Sequence, residues 1–235
     1  MSLDADFLRQ RNVAVLGGGS GIGRAVAEEA AAAGALVFVL GRSLAVSGPW
    51  QALRADVTDI ASLSAAFAEI GRIDHLVLTA GARVGSPRLE EATRADFEQT
   101  FGVKLFGNLL AVQQARPYLA ADASVTFTSG LLSRKYGAGG LLKSTVNAAL
   151  EAAAKNLAKE LAPRRVNVVS PGVVDTELWG PAGAEKRQAA MARIAADLPL
   201  GRVGRPQDLA QAYLFAMGNA FLTGAVLDVD GGGLL

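Results

Sequence analysis

The chain has 235 residues, 51% of them hydrophobic and 19% charged, with 23 basic and 22 acidic side chains and a net charge of +1. That is a globular composition, long enough for one large domain with its own core, and it excludes a disordered chain. The charge balance argues against a nucleic-acid surface or a polybasic membrane patch. The absence of cysteine removes disulfides, thiolate metal sites and cysteine nucleophiles together.

The first twenty residues carry no basic segment followed by a long apolar run, so no signal peptide is expected. The apolar stretch over 30–40 contains glycine and is too short to span a bilayer. A cytoplasmic location fits these features. His75 is the single histidine; alone it cannot anchor a multi-histidine metal site, so no metal site is expected and His75 reads as structural.

In chain order, near-continuous apolar runs over 12–16, 36–40, 52–55, 75–79, 124–128, 166–169 and 226–229 read as strands. Unbroken apolar runs, as opposed to alternating ones, mark strands covered on both faces, as in a parallel sheet. Helical patterns fall between them at about 21–33, 60–70, 93–119, 141–161 and 206–217. The alternation predicts an α/β chain forming one domain over 1–235: a doubly wound, mostly parallel seven-stranded sheet with helices on both faces, the Rossmann arrangement. The link over 43–50 is too short for a full helix. The stretch over 179–200 reads as a partly helical excursion, either a lid over a pocket or an ordinary surface helix pair.

The most specific local signal follows the first strand: Leu16-Gly17-Gly18-Gly19-Ser20-Gly21-Ile22-Gly23. Gly17 permits a tight turn, Gly21 lets backbone approach a pyrophosphate, and Gly23 lets the first helix pack closely on the sheet. The free N–H groups of that helix start, with Gly19 and Ser20, face the phosphates of a dinucleotide. The second strand ends in Gly41-Arg42-Ser43. An acidic residue there would select NAD by binding the ribose hydroxyls, whereas the Arg42 guanidinium is suited to a 2′-phosphate. NADP(H) is therefore expected over NAD(H); the bland alternative is a surface arginine with no ligand.

These motifs resemble the short-chain dehydrogenase/reductase family over nearly the whole chain. The glycine turn matches at Gly17, Gly21, Ile22 and Gly23, and the Asp-Val pair after the third strand matches Asp56-Val57. The segment after the fourth strand is Thr79-Ala80-Gly81, with both of the family's asparagines replaced. Pro171-Gly172-Val173-Val174-Asp175-Thr176 matches the segment that holds the nicotinamide end. The resemblance implies that Asp56 contacts adenine. It also implies that Thr79, Ala80, Gly81, Pro171, Gly172, Val174 and Thr176 line the cofactor.

The family's catalytic set is Asn, Ser, Tyr and Lys, and here only the serine matches, as Ser129. Counting back from Pro163, the tyrosine position falls on Lys143 and the lysine position on Asn147, while the asparagine position falls on Lys104. Tyr136 stands seven residues before Lys143, a spacing that resembles the enoyl reductases of the same superfamily, but that pairing shifts the helix by one turn. Lys143 and Asn147 share one helix face. Asn147 is then expected at the ribose hydroxyls, and Lys143 with Ser129 at the substrate oxygen. To act as a general acid there, Lys143 would need burial or a nearby Lys104 charge to ease release of its proton.

The resemblance implies an NADPH-dependent oxidoreductase acting on a small carbonyl or activated alkene, self-associating as a homodimer or homotetramer through the helices over 93–119 and 141–161. The competing expectation is an NADP(H)-binding sensor or scaffold without turnover. A weaker one is an isomerase or dehydratase supported by bound cofactor.

Overall fold

The computed structural model describes residues 6–43, 47–81 and 85–235. The elements run β1 (Asn12–Leu16), α1 (Gly21–Ala32), β2 (Leu36–Gly41), β3 (Gln51–Arg54), α2 (Ile60–Ile70), β4 (Ile73–Leu78) and α3 (Arg94–Phe101). A π-helical turn (Gly102–Gly107) leads into α4 (Asn108–Ala115), followed by β5 (Leu119–Thr128), α5 (Leu141–Glu160), β6 (Arg165–Pro171), α6 (Glu185–Ala196), α7 (Pro206–Gly218) and β7 (Val226–Val229). The seven strands form one sheet in the order β3-β2-β1-β4-β5-β6-β7. Every pairing is parallel, so the sheet is wholly and not mostly parallel.

The strand pattern explains the layers. In β1, Ala14 and Leu16 face a core that includes Leu63, Phe67, Val112 and Leu150 of α2, α4 and α5. Val13 and Val15 face the opposite core with Val26, Leu209 and Tyr213 of α1 and α7. Alternate residues thus enter opposite apolar layers. Helix starts are fixed locally: Asp59 accepts from the backbone N–H groups of Ala61 and Ser62, and Thr93 and Asp96 form a reciprocal capping box.

Two elements differ from expectation. The helix over 93–119 is broken by the π turn and ends in a short 3-10 turn, Arg116–Tyr118. Pro117 has no N–H to continue the helical ladder. At the π turn a Cβ on Gly107 would lie 2.8 Å from the Val57 side chain, so the glycine allows the helix to press onto the loop after β3. The fifth strand also begins at Leu119, earlier than expected, and pairs there with Ile73 before a register shift. The excursion after Thr176 is helical at Glu177–Trp179 and in α6. The described part of the 43–50 link holds no helix, and residues 44–46 lie outside the described residues.

Strand order reverses direction between β1 and β4, and at such a switch point the loops leaving the carboxyl ends diverge and leave a crevice. The glycine turn after β1 and Thr79-Ala80-Gly81 after β4 flank it. No helix among the described residues is long and apolar enough to cross a membrane.

Candidate active site

The crevice is built first by backbone. Gly17 has φ of 89°, a left-handed conformation that L side chains rarely adopt, and its N–H donates to the Leu40 carbonyl at 2.8 Å. Thr79 is the plug of the turn: its hydroxyl donates to the Leu16 carbonyl at 3.0 Å. A Cβ on Gly17 would come within 2.7 Å of Thr79 Oγ1, and one on Gly23 would strike both Thr79 Oγ1 and the Gly17 carbonyl. Thr79 therefore shapes the turn, with its hydroxyl engaged by Leu16.

Ser20 is the exposed N-cap residue of α1 and makes no side-chain capping bond. Gly19 is half-buried, and Ile22 packs against the core below α1. Over this helix start folds the segment after β6. Thr176 is buried, and a Cβ on Gly21 would lie 3.3 Å from its methyl group. The Glu177 carboxylate accepts from the Gly21 N–H at 3.1 Å. A carboxylate on the first N–H groups of a helix shows that this point attracts an anion. Pro171 is buried, Gly172 is pressed against Asp230, and Val174 lies in the core. The side chain of Val174, expected at the cofactor, packs in the core, as that of Val57 does beneath Gly107.

Arg42 and Ser43 are exposed at the end of β2. Asp56, beyond β3, is held below the usual carboxylate range, first by the Thr58 backbone N–H and hydroxyl and then by the fields of Arg42 and Arg54. Ala80 is partly buried, and its carbonyl accepts from Asn108 at 3.0 Å. Gly81 is exposed with open space at its Cα.

The second half of the site is built by side chains. Lys104, on the π turn, sends its ammonium to the Ser129 carbonyl at 2.9 Å and to Asn147 Oδ1 at 2.6 Å. Three of the four expected catalytic positions therefore meet. Burial, reinforced by the charge of Lys143, pulls the Lys104 pKa down to about 8. Asn147 is buried, and its amide nitrogen leaves room only for glycine at position 130, where a Cβ would lie 2.9 Å away. Asn147 gives its oxygen to Lys104.

Lys143 does not join this group: its ammonium donates to Ser86 Oγ at 2.8 Å. Ser129 Oγ donates to Glu151 Oε1 at 2.9 Å, so its proton is already committed. Glu151 Oε1 also accepts from Ser133 Oγ at 2.7 Å and from Arg134, which forms a two-pronged pair with Asp228. Sequence reasoning missed Glu151 and Glu177. Glu151 follows Asn147 by four residues on the same face of α5, a periodicity that marks it. Nothing local marks Glu177, whose partner lies 156 residues away. Tyr136 is 77% exposed and its hydroxyl donates to the Ser133 carbonyl, which places it outside the group.

A family model described as enoyl-(acyl carrier protein) reductase matches residues 17–233. The chain is 33% identical to the short-chain dehydrogenase/reductase ATR9 of Stachybotrys chlorohalonatus, over 97% of this chain and 98% of that one. It is 34% identical to the cis-4-hydroxycyclohexanecarboxylate dehydrogenase of Sinomonas cyclohexanicum, over 95% of this chain and 96% of the relative. A solved small-chain dehydrogenase in complex with NADPH superposes with a TM-score of 0.84 at 38% identity, over 96% of this chain and 99% of that chain.

Proposed function

The chain belongs to the short-chain dehydrogenase/reductase family of oxidoreductases, and from that premise we propose that it is an NADP(H)-dependent reductase of a small carbonyl or activated alkene. The observation that carries the proposal is the anion-attracting start of α1, where Thr176 closes over Gly21 and a carboxylate rests on the Gly21 N–H. The residues fit a dinucleotide. Gly17, Gly19, Ser20, Gly21 and Gly23 cradle its pyrophosphate, Asp56 meets the adenine, and Arg42 with Ser43 takes the 2′-phosphate. The solved relative bound to NADPH supports this choice of cofactor.

When bound, NADPH supplies the hydride that adds to the substrate. This chain's own residues position and protonate. Gly172 and Thr176 hold the nicotinamide end, and the Ser129–Lys104–Asn147 group stands at the ends of β5 and α5 with a cation directed inward. In this reading the family's Tyr-x-x-x-Lys pair is replaced by Lys143 and Asn147, and the site works without it. A homo-oligomer accompanies the proposal: on α5, Ala154 is buried against the sheet while Ala148 and Ala152 form an exposed small-residue face suited to a second copy.

The test is a fluorescence titration with NADPH and with NADH, alongside Arg42→Ala. Micromolar NADPH binding is expected, weakened about tenfold to a hundredfold in the variant because a charge-assisted contact is lost, with NADH unaffected. Failure to bind either nucleotide would overturn the reading.

A further inference from the structure

We propose that Lys104 is the group that donates a proton to the substrate oxygen, with Asn147 as its positioning residue; the proposal rests on the reductase reading above. Its placement comes from three directions. Asn108 donates to the Ala80 carbonyl at 3.0 Å and to the Lys104 carbonyl at 2.7 Å. That ties the π turn to the segment after β4, one wall of the crevice. The Lys104 ammonium then reaches the end of β5 through the Ser129 carbonyl and α5 through Asn147.

Both partners are neutral. Among the described residues Lys104 has no carboxylate within ion-pair distance. Lys104 is half-buried, and a cation drawn partly from water without a counter-charge is costly to keep; its two neutral acceptors do not repay that cost in full. A ligand that develops negative charge beside the ammonium does. The oxygen of a carbonyl under hydride attack is such a ligand. An ammonium has three N–H donors, and two of them hold the fixed acceptors, which leaves the third for the substrate.

The chemistry balances. Hydride bonds to the carbonyl carbon, and the π pair of the C=O bond moves onto oxygen. That oxygen takes a proton from Lys104 Nζ, whose N–H electron pair stays on nitrogen, leaving a neutral amine that solvent re-protonates. A carbonyl, a hydride and a proton give one alcohol.

The other polar groups nearby are excluded by their own bonds. The Ser129 hydroxyl donates its one proton to Glu151, so that proton is already engaged. Lys143 is turned to Ser86, and it bears on Lys104 only as a repelling charge. The other charged group facing this corner from α5 is Glu151, which is held by Ser129, Ser133 and Arg134. A Lys104 pKa of about 8 keeps the ammonium largely protonated at neutral pH while easing release of its proton, as suits a general acid.

The test has a readout that needs no cofactor. In protein carrying ¹³Cε-labelled lysine, one NMR signal is expected to titrate near 8 and to be absent from Lys104→Met. Asn147→Asp sets a carboxylate against the ammonium and is expected to move that titration up by about one unit or more. The same proteins are then given NADPH and a set of small ketones and quinones. Lys104→Met is expected to bind NADPH within about threefold of wild type and to turn over at least about a hundredfold more slowly. The wild-type kcat is expected to fall as pH rises past the lysine's pKa, and Asn147→Asp to carry that limb upward with the NMR titration. If wild type binds no NADPH, the reductase reading itself falls. If it binds NADPH, the proposal is overturned by any of three results: Lys104 titrating at its ordinary value, an unchanged kcat in Lys104→Met, or no reduction of any compound in the set. Should Lys104→Met fail to fold, the movement of the limb in Asn147→Asp decides.

Discussion

The two halves of the crevice are made of different material. The half that faces the dinucleotide is backbone: glycines at 17, 21 and 23, one threonine plug, and the N–H groups at the head of α1. The half at the ends of α4, β5 and α5 is side chain: a lysine, an asparagine, a serine, a glutamate and an arginine whose polar atoms are mutually assigned. Backbone geometry tolerates no added atom, whereas a side-chain network tolerates exchange of its members if the bonds still close. On that contrast the glycine turn is the half least free to vary.

The comparison breaks most visibly at Gly23. Alanine there places a Cβ against Thr79 Oγ1 and 2.5 Å from the Gly17 carbonyl; the second neighbour is backbone and cannot turn away. Gly23→Ala is expected to destabilise the chain by about 3 kcal/mol or more and to abolish NADPH binding, with only partial recovery when Thr79→Ala removes the hydroxyl. In the other half, Gly102 lies in the π turn with helical φ of −58° and open space at its Cα. Gly102→Ala is expected to leave stability unchanged or raise it by up to about 1 kcal/mol. Urea melts of both variants check this, and equal losses would mean that the two halves are equally rigid.

The same contrast set what the sequence made legible. A glycine at a fixed offset from a strand end is a local signal, and the fold, the sheet and the turn were all readable from such signals. Lys104, Ser129 and Asn147 were each recognised, yet their bonds join residues 25 and 43 positions apart, and no spacing rule specifies which atom meets which. Lys143 was expected at the substrate oxygen because the family's tyrosine position falls on it. The structure turns it to Ser86 instead. The π turn was also invisible, since the apolar pattern over 93–119 runs through it unbroken while Gly102 and Gly107 permit the change of pitch.

His75 supplies a second desolvated base, at the opposite end of the sheet, against which Lys104 is measured. It is buried beside Ser124 Oγ at 2.8 Å, and burial, its largest influence, lowers its pKa from 6.5 to about 4. The folded state therefore binds fewer protons than the unfolded state between those values. Stability is fully present above pH 6.5 and is lost as pH falls toward 4, by at most about 3 kcal/mol. His75→Gln is expected to flatten the dependence over that window without touching turnover, whereas Lys104 is expected to shape turnover near pH 8. A shared effect of His75→Gln on the kcat profile would break the separation between a structural and a chemical use of burial.

The smallest effect concerns a charged side chain that reaches into the backbone-built half. The Glu177 carboxylate rests on the Gly21 N–H, the place a pyrophosphate takes in the proposed complex, and the two anions compete for one helix start. Displacing the carboxylate costs the cofactor part of its own attraction to the helix. Glu177 is exposed, so solvent screens the competition and the gain from removing it is modest. Glu177→Gln is expected to tighten NADPH binding roughly two- to fivefold, more at low ionic strength than at high. NADH, which carries the same pyrophosphate, is expected to gain by the same factor, a pattern that separates this site from Arg42, where the two nucleotides part. Weaker binding of both nucleotides in Glu177→Gln would show instead that the carboxylate helps to hold the Thr176 segment over the bound cofactor.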